Sequence, residues 1–395
     1  MHYKFVIMIQ RAVLSSLLED AAYFPVLSIV GPRQVGKTTL AKELQPLLGK
    51  ETLYFDLELD EDARLLEQPS RFFQQHADKC IIIDEIQRAP HLFPLLRALI
   101  DQNRVPARFV LLGSASPWLL RDASESLAGR IAYTELTPFC LTEVVPNVPM
   151  LNHWFRGGFP DALLAPSDTV SRRWIENLVK TFVERDVRLL GYELAPAALS
   201  RLIMMLTTVH GNLLNLSDLS RSLGVSTPTI KHYLDILEGA FMIDRLQPYY
   251  VNTAKRLVKS PKLYLRDSGI LHYLAGITSG DALLNHILSG ASWEGYVIEQ
   301  IRRQTFQRWQ YFFYRTQKGA EADLLLVAPN GKKALIEIKL SNAPTASKGF
   351  FEVVSDIQPD YKYLITPDSR NYLRDDGLHV LPLIDFLKEE IGKMG

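Results

Sequence analysis

Apolar positions alternate between two periods along the first 136 residues. Short β-branched runs at 25–30, 52–57, 80–84 and 108–113, with a weaker one at 130–136, read as strands. The segments 37–48, 60–76 and 92–102 carry the helical period between them. Before the first strand, Ile9, Val13, Leu14, Leu17 and Leu18 recur three to four apart and predict an amphipathic helix over 9–22. Strand alternating with helix predicts an α/β fold, a mainly parallel sheet covered on both faces. At Thr137-Pro138-Phe139 the strand period is lost, and apolar spacing stays helical to about 240. Short strands return from about 241, clearest as a pair near 323–328 and 334–340, and predict an α+β end. The expected divisions are 1–136 as core, 137–198 as helical lid or connector, 199–262 as a winged-helix-like part and 263–395 as the α+β domain.

Composition narrows the setting. A length of 395 residues fits two or three domains at roughly 150 residues each. Lys plus Arg equals Asp plus Glu, 44 each, so no global field points to nucleic acid or to an anionic membrane. Cys80 and Cys140 sit beside apolar residues and read as core thiols of a cytoplasmic protein. The N-terminal apolar stretch is short and interrupted by Gln10 and Arg11, so a signal peptide is not expected. No uncharged apolar run approaches about 18 residues, so no membrane span is expected.

The first strand runs into Gly31-Pro32-Arg33-Gln34-Val35-Gly36-Lys37-Thr38-Thr39, the spacing Gly-x4-Gly-Lys-[Ser/Thr]. Such a loop between strand and helix cradles phosphate with backbone N–H groups, and the helix N-terminus adds its positive dipole end. Lys37 is the expected partner of the β- and γ-phosphates, and Thr38 the hydroxyl ligand of Mg2+, so the cofactors expected are ATP and Mg2+. In Cys80-Ile81-Ile82-Ile83-Asp84-Glu85 the acids leave a buried strand at its carboxyl end, where ligands of open α/β sheets sit. Asp84 is assigned to Mg2+ and Glu85 to polarising the attacking water. Ser114, at the end of the strand 108–113, is expected to touch the γ-phosphate or that water; the alternative is a helix N-cap. Arg130 is open to two readings: a phosphate sensor or finger on a neighbouring subunit's nucleotide, or a surface partner of Glu125.

The set Gly31–Thr39, Ile83-Asp84-Glu85-Ile86-Gln87, Leu112-Gly113-Ser114 and Leu127-Ala128-Gly129-Arg130 resembles a prokaryotic AAA-type ATPase family with a C-terminal domain of undefined role. The similarity continues through Phe155-Arg156-Gly157-Gly158-Phe159-Pro160, Glu184-Arg185-Asp186, Pro261-Lys262-Leu263-Tyr264 and Asp267-Ser268-Gly269, and so covers almost the whole chain. The resemblance implies a P-loop core of the additional-strand class with strand order 5-1-4-3-2. It implies no substrate beyond ATP.

Two further patterns bear on what ATP would drive. Leu216–Leu223, a stop at Gly224-Val225, and Ser226 capping Thr227–Leu237 read as a helix-turn-helix. Ile230, Tyr233, Leu234 and Leu237 form its buried stripe, and Thr229, Lys231, His232 and Asp235 face outward. Residues 241–265 are the expected wing, with Lys255, Arg256, Lys259 and Lys262 as a local basic surface; Asp235 and Glu238 oppose DNA. Near the C-terminus, Asp323 and Glu337-Ile338-Lys339 flank two apolar strands. Two carboxylates suit Mg2+, Lys339 suits a water or phosphate, and Glu294 or Glu299 would complete the set. This Asp…Glu-x-Lys pattern resembles the motif of the restriction-endonuclease-like fold, and the ATPase family's end domain is similar to that fold. Three functions are thus open: an ATP-driven switch or motor, an ATP-gated metal-dependent nuclease, and a regulatory module for which nucleotide is a conformational ligand. DNA, a protein partner and further copies of the chain are the partners left open.

Overall fold

The five strands expected in the N-terminal segment form one sheet, all of it parallel. In the computed structural model these are β1 (Val26–Val30), β2 (Thr52–Asp56), β3 (Cys80–Asp84), β4 (Phe109–Gly113) and β5 (Ile131–Glu135). The structure describes residues 9–394 apart from 68, 115–126, 146, 190, 191, 193, 251–256, 307 and 342. Glu125, Lys255 and Arg256 lie outside the described residues. The sheet order is β2-β3-β4-β1-β5, which read from the other edge is the 5-1-4-3-2 implied by the resemblance. The chain divides into two compact units, one of 1–139, 186–192 and 239–241, the other of 140–185, 193–238 and 242–395.

In the first unit β1, β3 and β4 are buried along their whole length, as their unbroken apolar runs require in a sheet covered on both faces. Helices α1 (Leu14–Ala21), α2 (Lys37–Leu44), α3 (Asp60–Leu65), α4 (Ser70–Gln75) and α5 (Leu92–Gln102) fill the expected intervals. In three of these four intervals the helix is shorter than the apolar period. Pro46 replaces the end of α2 by a 3-10 turn, and Pro69 divides the expected 60–76 helix into α3 and α4, because proline supplies no N–H to the preceding turn. The helix expected over 9–22 starts at Leu14, since the Arg11 guanidinium is buried on the carbonyls of Val35 and Thr137. One core joins Ile81, Ile83, Phe109 and Leu111 of the sheet to Phe73, Leu92, Leu96 and Leu99 of the helices. Each such side chain is worth about 1.5–3 kcal/mol relative to exposure.

The second unit opens with helices, among them Met150–Arg156, Asp168–Thr181, Pro196–Val209, Leu216–Leu223 and Thr227–Gly239. Gly224 ends the Leu216–Leu223 helix in the left-handed region (φ 72°), and the Ser226 hydroxyl accepts the Thr229 N–H at the start of the next. Ile230, Tyr233, Leu234 and Leu237 are buried. The strands that follow, β6 (Ile243–Pro248) and β7 (Lys262–Leu265), pair antiparallel. They do not stand alone as a wing: β6 continues into a mixed eight-stranded sheet ordered β12-β13-β11-β10-β9-β8-β6-β7. Its other strands are β8 (Gln310–Arg315), β9 (Glu321–Val327), β10 (Lys333–Ile338), β11 (Tyr361–Thr366), β12 (Tyr372–Leu373) and β13 (Leu378–Pro382). In β9 and β10 the period of two sends Leu324, Leu326 and Ile336 to one core and Leu325 and Leu335 to the other. Trp293 and Val297 of the helix Ser289–Gln304 join the first core; Phe350 and Val353 of Lys348–Ile357 join the second. No helix among the described residues is long and apolar enough to cross a membrane.

Candidate functional site

The phosphate loop is set by three backbone positions that few residues tolerate. Gly31 has φ 154°, and a Cβ there would lie 2.2 Å from the Leu136 carbonyl oxygen just past β5. Gly36 (φ 95°) starts α2, and Gln34 between them also has positive φ (62°). In α2 the buried stripe is Lys37, Leu40, Ala41 and Leu44. The face that packs the helix on the sheet therefore carries Lys37 inward, where it is only 6% exposed. Its ammonium donates to the carbonyls of Gly31 (3.0 Å) and Pro32 (2.8 Å). Burial pushes Lys37 down to about 8, against the pull of Glu85 and Asp84 in the other direction. A buried cation held by two loop carbonyls is one that a polyphosphate would stabilise.

Asp84 closes β3 and is 5% exposed. Its Oδ2 accepts the Thr38 hydroxyl at 2.8 Å, and its Oδ1 accepts the Glu85 N–H at 2.9 Å. The loop hydroxyl and the strand-end carboxylate assigned to Mg2+ are thus brought together. Tyr54 of β2, which the sequence reasoning missed, donates to the same Oδ2. Burial and the Asp84 charge hold the Tyr54 phenol well above its ordinary value, so it remains a donor. Its signal was present only as one aromatic in an expected strand.

Glu85 adopts a left-handed conformation (φ 56°, ψ 43°), which for a non-glycine residue costs on the order of 1 kcal/mol or more. The turn folds Ile86–Arg88 back on itself and sets Gln87 between Glu85 and Ser114. The Ser114 hydroxyl lies 3.3 Å from Glu85 Oε2, so the two expected residues meet.

Arg33 and Asp186 form a further contact at the loop. Arg33 pairs with Asp186 at 3.1 Å and with Glu58 at 3.5 Å. Asp186 belongs to the stretch 186–192 that clusters with the first unit although its flanking segments do not. It lies in Glu184-Arg185-Asp186, but nothing in the sequence ties it to Arg33.

Arg130 is placed elsewhere. It precedes β5 at the amino end of the sheet, opposite the loop, and its guanidinium grips Asp101 at 2.6 and 3.0 Å. It therefore takes no part in its own chain's phosphate site, and the charge pairing expected of a surface arginine is made with Asp101.

The C-terminal constellation is partly assembled. Asp323 Oδ2 accepts the Ile338 N–H at 2.8 Å, and Lys339 pairs with Glu337 at 2.9 Å. Glu294 is the upstream acid that joins them, since its charge acts on Asp323; Glu299 instead pairs with Arg266 and Arg303. Lys262, expected on a basic surface, is 3% exposed and corrects that expectation. It lies 2.9 Å from Glu294 and 2.7 Å from Glu321, because a buried ammonium left without an anion would be far costlier. Burial alone would lower Lys262; Glu294, Asp323 and Glu321 outweigh it and hold it above the ordinary lysine value. Burial, then Glu294 and Glu337, push Asp323 up to about 8. Among the described residues no group of three or more acids, histidines or cysteines is placed to hold a metal. On the helix Thr227–Gly239, Asp235 and Glu238 are both paired by Arg245, so neither stands as a bare charge against DNA.

Family comparisons match three segments of the chain. A family described as an AAA domain matches residues 23–145, a domain of unknown function (DUF8612) matches 150–281, and a second (DUF4143) matches 289–386. Uncharacterized proteins of Mycobacterium tuberculosis and Mycobacterium bovis are each 38% identical over 360 residues, spanning 91% of this chain and 80% of the relative. Among solved structures, a Walker-type ATPase of Pyrococcus abyssi is 16% identical with TM-score 0.44, covering 68% of this chain and 96% of that one. The RuvB Holliday junction branch migration motor of Thermotoga maritima is 19% identical with TM-score 0.30, covering 60% and 90%. Likenesses this low bear no weight here; the strand order, the loop and the 38% identical relatives do.

Proposed function

The chain belongs to the AAA-type P-loop ATPase family that carries a C-terminal DUF4143 domain, and on that premise we propose that it binds ATP with Mg2+, hydrolyses it, and uses the cycle as a switch for its C-terminal region. The observation that carries the reading is the convergence of Lys37, Thr38, Asp84, Glu85 and Ser114 on one loop and two strand ends. The N–H groups of Gly31–Thr39 and the Lys37 ammonium bind the β- and γ-phosphates. Thr38 and Asp84 are the residues that would hold Mg2+, which neutralises phosphate charge when bound. Glu85 accepts the proton of the attacking water, and Ser114 orients that water or the γ-phosphate. Wild-type protein should release phosphate from ATP in Mg2+, and Lys37→Ala should lose ATP binding; binding of ATP by Lys37→Ala at wild-type affinity would reject this site.

The ATP-gated nuclease is the second reading, supported by the approach of Glu294, Asp323, Glu337 and Lys339. Weighing against it is Lys262, which already supplies the acids with a buried cation. The switch reading predicts no cutting of single- or double-stranded DNA or RNA in Mg2+ or Mn2+, with or without ATP. Cutting that Lys339→Ala removes would reinstate the nuclease. DNA or a protein bound through the winged-helix-like helices is the partner proposed for the switch.

A further inference from the structure

Gln87 holds both ends of its carboxamide in use between the carboxyl ends of β3 and β4. Its Nε2 donates to Ser114 Oγ at 2.9 Å and to Glu85 Oε2 in closer contact. Its Oε1 accepts the Ser114 N–H at 3.4 Å. Chemistry alone fixes this orientation. An ionised carboxylate only accepts, so the amide nitrogen must face Glu85, and a backbone N–H only donates, so the amide oxygen must face Ser114. The reversed amide would set oxygen against oxygen and N–H against N–H. The left-handed turn at Glu85, closed by the Arg88 N–H on the Glu85 carbonyl at 2.9 Å, brings Gln87 back to this position.

We propose that Gln87 is the positioning residue for Glu85, fixing the water-activating carboxylate relative to the residue that meets the γ-phosphate. This rests on the assignment of Glu85 above. Oε2 is engaged by Gln87 and Ser114, so Oε1 is the oxygen turned to the attacking water. A glutamate arm left to rotate would spend little time in reach of that water, and a misplacement of about 1 Å costs on the order of 100-fold in rate. Because Ser114 shares the same amide, a shift of Ser114 on meeting phosphate is passed to Glu85 through Gln87. Gln87 thereby ties the readiness of the base to the presence of the third phosphate.

The test compares Gln87→Ala, Gln87→Glu and Glu85→Gln in steady-state ATP hydrolysis, each with its KM and its thermal unfolding. Gln87→Ala should lower kcat about 10- to 100-fold while KM for ATP stays within about two-fold. Gln87→Glu keeps the shape but sets carboxylate against carboxylate. It should move the acid limb of the kcat–pH profile upward by about one pH unit, which a merely structural role would not do. In the Glu85→Gln background, Gln87→Ala should cost nothing further. If Glu85→Gln is inactive while both Gln87 variants keep wild-type kcat and pH profile, the positioning role is overturned and the role of Glu85 stands. A rise in KM with kcat unchanged overturns it too. If Glu85→Gln hydrolyses ATP normally, the assignment of Glu85 itself has failed.

Discussion

If Lys37 is the cation that meets the triphosphate, ATP affinity must fall as pH rises through about 8, the value to which burial pushes its ammonium in the free protein. A bound polyphosphate surrounds that ammonium with negative charge and keeps it protonated, so binding takes up the missing fraction of a proton. That fraction is about 0.1 at pH 7, about 0.5 at pH 8 and about 0.9 at pH 9. The apparent Kd at pH 9 should therefore be about tenfold weaker than its low-pH limit, or about 1.4 kcal/mol. Isothermal titration of ATP in two buffers of different ionisation enthalpy, in Mg2+ between pH 7.5 and 9.5, reads the proton count directly. Glu85→Gln sharpens the test. The Glu85 charge supports the protonated amine, so its removal should start the loss of affinity at lower pH. No proton uptake at pH 8.5 together with a Kd flat to pH 9.5 would refute the placement of Lys37 against phosphate.

Two other substitutions probe contacts around the loop. Tyr54→Phe removes one of the hydroxyls on Asp84 Oδ2, and should raise the Mg2+ needed for half-maximal hydrolysis several-fold with little change in KM for ATP; an unchanged Mg2+ titration would make Tyr54 a packing residue only. Asp186→Asn removes the charge that Arg33 meets at 3.1 Å, and should cost about 1–3 kcal/mol in urea unfolding, most of it shared with Arg33→Gln in a double-mutant cycle; additive costs would break the link.

The core was legible because its signals are local. Unbroken β-branched runs such as Ile81-Ile82-Ile83 read as central strands, and Gly31 and Gly36 occupy backbone states that disfavour side chains. The acids at the end of β3 follow from the same logic, since a buried parallel strand delivers its last residues to the ligand edge. What stayed hidden depends on partners distant in sequence. Tyr54 and Asp186 are ordinary residues until folding sets them against Asp84 and Arg33. Lys262 illustrates the opposite error: beside Lys259 it reads as surface charge, yet β7 buries it against Glu294 and Glu321. Arg130 was read from its place after a loop, whereas the register of β5 on β1 puts it at the far end of the sheet.

The central claim, that this site cleaves ATP with Glu85 as base, is tested most directly by asking which nucleotide stays on the protein. Wild type and Glu85→Gln are incubated with ATP labelled at the α-phosphate in Mg2+, passed rapidly over a desalting column, and the bound nucleotide is separated. The account predicts ADP on wild type and intact ATP on Glu85→Gln, at similar stoichiometry; ADP forming on Glu85→Gln at the wild-type rate would contradict it.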